Sequence, residues 1–353
     1  MEIDVIKKHS PYEPDQEAKK ALLLEELNAL TQHHADKCKD YARIIHLFYK
    51  GKTKYQNLGD LPYLPVTLFK ERLLSSIPEN EIFKTLLSSG TTGALPSRVI
   101  LDRKTAAMQS AALTQIITSY IGNKRLPMII VDHSDVIRDR HLFGARGAAI
   151  LGMLPFGRDH FYALSSSMEL RIDPLRQWLK THRDEKILIF GLTYLVWEHL
   201  LNASHSLPIP QGILFHTGGW KKLQERRIGN REFTLLSETK LHTQQCYNFY
   251  SMVEQLGSVF MECEEGVLHT PFFADAIVRD PESWQETEIG KEGVLQLLSL
   301  LPLSYPGHSI LTEDLGILHG VDECPCGRKG KYFSVIGRVP QAEPRGCSDT
   351  YSI

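Results

Sequence analysis

Six consecutive small residues, Ser88, Ser89, Gly90, Thr91, Thr92 and Gly93, combine four hydroxyl groups with two glycines. Glycine lets backbone N–H groups approach an anion closely, and Ser and Thr hydroxyls add hydrogen-bond donors without bulk. The stretch is suited to a phosphate-binding loop, and an ordinary turn is an equal alternative because turns use the same residue types. It is not a Walker loop, because no Gly-Lys-Ser/Thr closes it.

The chain between residues 82 and 250 alternates between two kinds of apolar pattern. The strand-like runs are residues 128–131, 187–190 and 213–215. The helix-like runs are residues 105–121, 174–182 and 193–201. This order predicts an α/β fold with a substantially parallel sheet, in which ligands bind at loops after the carboxyl ends of strands. Two such loops, residues 216–221 and 248–254, are rich in glycine, aromatic and polar residues.

The flanking regions differ in texture from this α/β core. Residues 1–80 predict helices, one over residues 15–30 with Asp15 as its cap and another over residues 40–49. After residue 255 the apolar runs shorten and turns multiply, which predicts a β-rich, barrel-like part. We therefore expect a helical segment (1–80), an α/β core (81–255), a β-rich subdomain of the same body (256–338) and a mobile tail (339–353).

Composition narrows the class of protein. The 353 residues are 42% hydrophobic and 23% charged with a net charge of −2, which is typical of a globular protein and excludes a general nucleic-acid or anionic-membrane surface. No long apolar run predicts a membrane span, and the acidic N-terminus lacks a signal-peptide core. We expect a cytoplasmic protein whose six cysteines serve thiol or metal chemistry rather than disulfides.

Five sequence elements occur in the order found in adenylate-forming enzymes, which include acyl-CoA synthetases and luciferases of the firefly type. The elements are residues 88–93, Gly218-Gly219-Trp220-Lys221, Tyr250-Ser251-Met252-Val253-Glu254, Thr312-Glu313-Asp314-Leu315-Gly316 and Gly337-Arg338. Within this superfamily, residues 216–222, 250–257, 304–316 and 343–350 resemble the LuxE-type acyl-protein synthetases, relatives of the phenylacetate-CoA ligases. The resemblance covers roughly residues 60–353.

The resemblance implies that ATP activates a fatty acid as an acyl-adenylate and that the acyl group passes to a cysteine of the protein itself, as in a long-chain-fatty-acid–protein ligase. It also implies an acyl-protein reductase as partner. The implied fold is the superfamily's large N-terminal domain of layered α/β sheets with a β-rich subdomain, and the small C-terminal domain is expected to be absent.

Each matched element carries an implied role. The Ser/Thr/Gly loop would hold phosphates, Glu254 would hold Mg²⁺, and Arg338 would contact ribose or phosphate. The base would lie on Gly218, Gly219 and Trp220 with Tyr250 or Phe249 stacked on it, and Asp314 would accept from the ribose hydroxyls. Ordinary alternatives are a solvated carboxylate for Glu254, a turn for Asp314 and a surface ion pair for Arg338.

Cys347 is the implied acyl acceptor, because a thioester needs a thiolate nucleophile. About 30 Å of extended chain separates it from Arg338, enough for a tethered tail to reach an adenylate. The sequence departs from the superfamily in three ways: the lysine expected after the phosphate loop is missing near Ser97-Arg98, Ser251 and Val253 replace Gly and Thr, and the chain ends soon after Arg338.

Four other residues form a candidate zinc site. Cys324 and Cys326 stand one residue apart, and Cys263 precedes His269 by six positions. Three thiols and one imidazole make a suitable tetrahedral Zn²⁺ set, with four reduced side chains as the alternative. Cys38 and Cys246 are predicted to pack as small hydrophobic residues.

Two other functions remain open from the sequence. One is a CoA or carrier-protein ligase of the phenylacetate-CoA ligase type, and the other is a non-catalytic adenylate-binding subunit. The site of acylation separates the first from a self-acylating synthetase, and pyrophosphate release separates the second from both. The sequence also leaves open the identity of the carboxylic acid and whether the chain forms a homo-oligomer.

Overall fold

The computed structural model describes residues 1–88, 95–138, 145–202, 207–220 and 228–340. The chain forms two compact units. Unit 1 comprises Met1–Ser119, Ser251–Met261 and the chain from Val267 onward, and unit 2 comprises Tyr120–Tyr250 and Glu262–Gly266 within the described residues. Among the described residues, no helix has both the length and the apolar character needed to cross a bilayer.

Helices and strands are numbered in chain order. The α-helices are α1 (Ile3–Lys8), α2 (Gln16–Lys37), α3 (Lys39–Tyr49), α4 (Leu68–Glu71), α5 (Arg103–Ile121), α6 (Asp135–Arg138), α7 (Ala145–Met153), α8 (Ile172–Thr181), α9 (Thr193–Val196) and α10 (Asn230–Leu236). The strands are β1 (Leu64–Pro65), β2 (Lys84–Leu87), β3 (Arg98–Leu101), β4 (Leu126–Ile130), β5 (Gly157–Tyr162), β6 (Ile187–Leu192), β7 (Gly212–Thr217), β8 (Gln245–Tyr250), β9 (Phe260–Glu262), β10 (Leu268–His269), β11 (Ala274–Arg279), β12 (Glu292–Ser299), β13 (Ser309–Val321) and β14 (Lys331–Arg338).

Unit 2 is built on parallel strands in the order β8-β7-β6-β4-β5. Every residue of β6 and β7 is buried, because a parallel sheet covered on both faces needs continuous apolar strands. α8, α9 and α10 contribute Leu175, Leu195 and Phe233 to its core. The α/β order predicted from the alternating runs is confirmed for this unit. The sequence pattern did not predict β5, because only part of this strand is apolar.

Unit 1 has an antiparallel ladder in the order β11-β12-β13-β14-β10, with β1 parallel to β13. β2 and β3 form a separate hairpin whose register pairs Leu87 with Arg98. α5 follows the hairpin directly, as the strand–loop–strand–helix order predicted.

Helix α2 of unit 1 is longer than its sequence pattern predicts. Asp15 caps α2 as expected, since its carboxylate accepts from the Ala18 N–H at 2.9 Å. α2 then runs to Lys37 rather than ending at residue 30. The extra turns continue the buried face with Thr31 and His34, both fully buried. Because these two residues are polar, the apolar pattern in the sequence stops before the helix does.

Candidate active site

A pocket in unit 2 lies at the carboxyl ends of parallel strands, where α/β sheets bind ligands. Its lining combines polar side chains from strand ends with aromatic rings: Thr193, His216, Gly218, Trp220, Ile228, Asn230, Phe233 and Asn248. Gly218 has a φ of +83°, a left-handed conformation that favours glycine. The structure therefore places the predicted base-binding residues Gly218 and Trp220 at one pocket.

His216 is the most constrained of the pocket's polar side chains. Its Nδ1 lies 3.0 Å from Thr193 Oγ1, and its ring stacks on Phe233 with 4.3 Å between centroids. Burial lowers the pKa of His216 to about 3, so the imidazole is neutral at ordinary pH. In the described part of the chain its Nε2 has no hydrogen-bond partner.

Asn248 stands beside His216 on the neighbouring strand. The two residues are register partners across β7 and β8, so their side chains share one face of the sheet. The backbone N–H of Asn248 donates to Glu262 Oε2 at 3.0 Å, and Asn230 Nδ2 bonds to Glu262 Oε1. Burial raises the pKa of Glu262 to about 8. This carboxyl group holds two pocket-lining residues in place.

The aromatic residues of the same region are deeply buried. Trp220 contacts Trp197 edge-on at 5.4 Å. Tyr250 is fully buried, and Phe249 stacks on Phe190 with 6.4 Å between ring centroids. Lys221 and the rest of its loop lie outside the described residues.

Glu254 lies in unit 1 on a short 3-10 helix, Val253–Gln255. Its backbone carbonyl accepts from the Tyr305 hydroxyl at 2.9 Å. Gln255 fastens the same turn by donating to the Leu297 and Gly307 carbonyls at 3.0 and 2.9 Å. Glu254 is 2% exposed, and its Oε1 has no hydrogen-bond partner among the described residues. The solvated-carboxylate alternative is therefore wrong for this residue.

Near the same turn, the buried side chains of Ser97, Thr105 and Gln109 also have polar atoms without partners within the described ranges. The Gly257 turn meets α5 at Gln109, since a Cβ on Gly257 would lie 2.8 Å from Gln109 Cα. Sequence reasoning missed Thr105 and Gln109 because a polar residue on a helix gives no sign of burial.

The predicted ribose residue Asp314 and Arg338 are brought together. They are register partners on β13 and β14, with 3.5 Å between Arg338 Nε and Asp314 Oδ1. Arg338 also donates to Glu313 Oε2 at 2.8 Å. Asp314 is buried, and a buried carboxylate requires such a counter-charge.

The predicted phosphate loop is described only at its ends. The Ser97 N–H donates to Ser88 Oγ at 2.8 Å, and the Ser88 N–H donates to the Ser97 carbonyl at 3.0 Å. These two bonds continue the pairing of β2 and β3 by one residue on each strand. Ser89, Gly90, Thr91, Thr92 and Gly93 lie outside the described residues, as does the predicted acceptor Cys347.

Three of the four residues predicted to hold zinc lie together in unit 1. The ligand atoms of His269, Cys324 and Cys326 all lie within 4.8 Å of one another, and His269 Nε2 is 3.4 Å from Cys326 Sγ. Cys263 and Cys324 are buried and Cys326 is half-buried. Two thiols and one imidazole at this spacing suit three of the four positions around a tetrahedral Zn²⁺ ion.

Comparison with solved structures gives the class of fold. The structure of 2-hydroxyisobutyryl-CoA ligase in an open conformation, solved with 2-HIB-AMP and CoA, matches with a TM-score of 0.68 and 18% identity over 95% of this chain and 78% of the ligase. Its post-adenylation state gives 0.64 and 19%, covering 91% and 66% of the two chains. The chain thus has the predicted mixed α/β fold of adenylate-forming ligases.

Sequence comparison gives the family. The chain matches the model of the acyl-protein synthetase family, LuxE, over residues 1–353. A long-chain-fatty-acid–luciferin-component ligase of Vibrio harveyi is 23% identical over 364 residues, covering 98% of this chain and 91% of the relative. The ligase of the same name from Aliivibrio fischeri is 29% identical over 136 residues, which are 37% and 35% of the two chains. The chain belongs to the LuxE acyl-protein synthetase family, as predicted.

Proposed function

We propose that this chain activates a fatty acid with ATP and then carries the acyl group as a thioester on its own Cys347. The family match over the whole chain is the observation that carries this proposal. The relatives from Vibrio harveyi and Aliivibrio fischeri are long-chain-fatty-acid–luciferin-component ligases, which supports a long-chain fatty acid as substrate. The family resemblance implies an acyl-protein reductase as partner. We place the reaction in the cytoplasm, where ATP and reduced thiols are available.

In the first half-reaction, a carboxylate oxygen of the fatty acid attacks the α-phosphorus of ATP. A new P–O bond forms, the bond to pyrophosphate breaks, and pyrophosphate takes the electron pair. Because charge is redistributed rather than protons moved, catalysis depends on position and electrostatics. The Ser/Thr/Gly loop would hold phosphates, Asp314 would accept from the ribose hydroxyls, and Arg338 would stabilise negative charge nearby.

Glu254 fits a Mg²⁺ ligand because its Oε1 is buried without a hydrogen-bond partner among the described residues. Such an oxygen is costly unless a ligand satisfies it. When bound, Mg²⁺ would neutralise phosphate charge. Tyr305 and Gln255 would keep this carboxylate in place, because their hydrogen bonds hold the backbone turn that carries Glu254.

In the second half-reaction, the Cys347 thiolate attacks the acyl carbonyl of the adenylate. A C–S bond forms, the C–O bond to phosphate breaks, and AMP leaves with the electron pair. The buried thiols are poor competitors, since burial raises the pKa of both Cys38 and Cys246. Only a thiolate reacts readily.

His269, Cys324 and Cys326 of unit 1 would hold a structural Zn²⁺ ion, with Cys263 as the fourth ligand expected from the sequence. Metal analysis of protein purified without added zinc should give about one zinc per chain, because four ligands complete the coordination of one ion. The double variant Cys324→Ser/Cys326→Ser should lose it, whereas Cys38→Ser should retain it. Zinc-free wild-type protein with full thermal stability would contradict this assignment.

Intact mass after incubation with ATP, Mg²⁺ and a mixture of fatty acids tests the function. Wild type should gain a hydroxylamine-labile acyl mass that Cys347→Ser lacks, and that mass identifies the preferred chain length. Pyrophosphate release without any adduct would instead indicate a ligase for CoA or a carrier protein. Neither product would indicate a non-catalytic subunit.

A further inference from the structure

Helix α3 of unit 1 carries two large apolar side chains that face solvent. Leu47 is 72% exposed and Phe48 is 76% exposed, more than any other large hydrophobic residue in the described part of the chain. The buried side of this helix is formed instead by Tyr41 and Ile45. A single exposed leucine is ordinary on a protein surface, but two adjoining apolar side chains with this exposure indicate a surface that binds something.

The segment that contains α3 is also strongly basic. Residues 37–54 hold six lysine or arginine residues against one aspartate, a formal charge of +5, whereas the whole chain has a net charge of −2. The low net charge excludes a basic surface over the whole protein, so the positive charge is concentrated locally. All six cations are exposed: Lys37, Lys39, Arg43, Lys50, Lys52 and Lys54. We call these cations, together with Leu47 and Phe48, the α3 patch.

Helical spacing places the charge beside the apolar surface. Lys39 and Arg43 are four residues apart on α3, so they lie in one stripe along the helix, and Lys50 continues it at the C-cap. Leu47 borders this stripe because it lies one turn after Arg43. Phe48 is the next residue round the helix and extends the apolar surface away from the cations. The patch therefore has an apolar edge with lysine and arginine along one side.

This combination favours an anionic membrane surface over an acidic protein as the partner. In helices that lie on membranes, leucine and aromatic side chains enter the boundary between headgroups and acyl chains, while lysine and arginine attract anionic lipids. Lysine and arginine side chains are long enough to keep their charges at the headgroups while the apolar residues insert. A long-chain fatty acid also partitions into bilayers, because removing each of its methylene groups from water is favourable.

We propose that the α3 patch binds an anionic membrane surface, so that the protein meets its fatty acid at the bilayer. The choice of a lipid partner rests in part on the proposed function, whereas the exposure and charge of the patch do not depend on it. Two apolar side chains and a few cations give a peripheral, reversible association, and salt weakens it by screening the cations.

Flotation of the purified protein with lipid vesicles tests this inference, with the lipid concentration for half-maximal binding as the readout. Wild type should bind vesicles of phosphatidylglycerol and phosphatidylcholine at low ionic strength and bind pure phosphatidylcholine much more weakly. Leu47→Ser/Phe48→Ser should weaken binding by about 100-fold, since each apolar side chain removed from water contributes about tenfold. Lys50→Gln/Lys52→Gln should weaken it by about 25-fold, since each cation near an anionic surface contributes about fivefold.

Matched variants of unit 2 separate the α3 patch from general surface effects. Leu235→Ser alters a leucine of α10 that is 57% exposed, and Lys180→Gln/Lys186→Gln removes two exposed lysines. Both controls should bind the anionic vesicles as wild type does. Because every altered side chain is exposed, all four variants should keep the melting temperature of wild type, which excludes misfolding as the cause of lost binding.

The outcomes distinguish this inference from the proposed function. Wild type that does not bind anionic vesicles at low ionic strength would overturn it, as would equal binding to both types of vesicle or unchanged binding by both α3 variants. If the α3 variants instead lose association with a purified acyl-protein reductase while vesicles stay unbound, the patch is a protein interface and the membrane inference is wrong.

Pyrophosphate release with ATP and a short, water-soluble fatty acid completes the comparison, because this reaction needs no membrane. The α3 variants should release pyrophosphate at the wild-type rate. Vesicle binding without any pyrophosphate release would support the membrane site and overturn the proposed function, whereas release without vesicle binding would overturn the membrane site alone.

Discussion

Glu254 shows at the scale of a residue how burial changes the meaning of a motif position. Its carboxylate is nearly inaccessible, its Oε1 has no partner among the described residues, and its backbone is fastened by Tyr305. Such a group is a stability cost that a bound cation removes. The geometry therefore favours a metal ligand over the solvated loop carboxylate that the residue type alone permits.

Glu254→Gln should consequently lower pyrophosphate release by about 100-fold, the size found when one preorganised electrostatic contact is removed. It should also raise the Mg²⁺ concentration needed for half-maximal rate. Rates measured over a Mg²⁺ series check this, with Glu292→Gln, at the exposed start of β12, as the matched control. An unchanged Mg²⁺ dependence in Glu254→Gln would remove Glu254 from the metal site.

The sequence singles out Gly218, Glu254, Asp314 and Arg338 because they belong to recognisable motifs, and their roles stay predictions. It does not single out Thr193, since its role depends on the His216 ring 3.0 Å away and 23 residues along the chain. Contacts between distant strands arise from sheet register, and a single sequence does not contain that information.

At the scale of an element, α2 is anchored through buried histidines. His34 Nδ1 lies 2.7 Å from Ser76 Oγ and its Nε2 lies 3.1 Å from the Pro302 carbonyl. His308 Nε2 lies 3.0 Å from Thr31 Oγ1, and the His34 and His308 rings stack at 5.0 Å. Burial lowers the pKa of His308 to about 3 and holds the pKa of His34 well below its usual range.

These two histidines should make the protein less stable in mild acid. Below about pH 6.5 the unfolded chain binds protons that the folded chain does not, so each histidine costs about 1.4 kcal/mol of unfolding free energy per pH unit. The stability of the folded chain therefore carries no penalty from these histidines above pH 6.5, and it falls as the pH decreases from 6.5 toward 3. Glu262 has the opposite sign, because its raised pKa makes the folded state retain a proton as the pH rises.

Urea unfolding at pH 5 and pH 7 isolates the histidine contribution when wild type is compared with His308→Phe and His34→Gln. Each variant should show a smaller loss of stability between the two pH values than wild type, while Glu262 contributes equally to all three proteins. Identical pH slopes would mean that the histidines are not neutral in the folded chain.

A second anchor of α2 is a buried charge cluster. Asp275 on β11 faces Lys19 Nζ at 3.5 Å and Lys331 Nζ at 3.4 Å, and Lys19 also donates to Thr270 Oγ1 at 2.6 Å. Asp275→Asn would leave two buried ammonium groups without this carboxylate and should lower the unfolding free energy by about 3 kcal/mol. Chemical denaturation checks this, and Asp173→Asn in an exposed pair should change little.

These anchors explain why the sequence predicts the start of α2 better than its end. Asp15 is a local signal, because a cap acts on the next few residues. Thr31, His34 and Lys19 are buried only because distant partners at residues 270–308 satisfy them, so a local apolar pattern cannot show that the helix continues to Lys37.

At the scale of the whole molecule, the proposed function assigns activation and transfer to different parts of the chain. Activation would use residues between 88 and 338, whereas transfer would use one thiol at position 347. Cys347→Ser should therefore abolish acylation while keeping ATP–pyrophosphate exchange within about twofold, since the adenylate contacts remain. Glu254→Gln should lose both activities together.

Fatty-acid-dependent ATP–pyrophosphate exchange, measured alongside acyl incorporation, checks this separation. Cys38→Ser is the matched control, because Cys38 is buried and burial raises the pKa of its thiol, and it should keep both activities. Loss of exchange in Cys347→Ser would mean that the acceptor thiol also supports activation, and the two half-reactions would then share one set of residues.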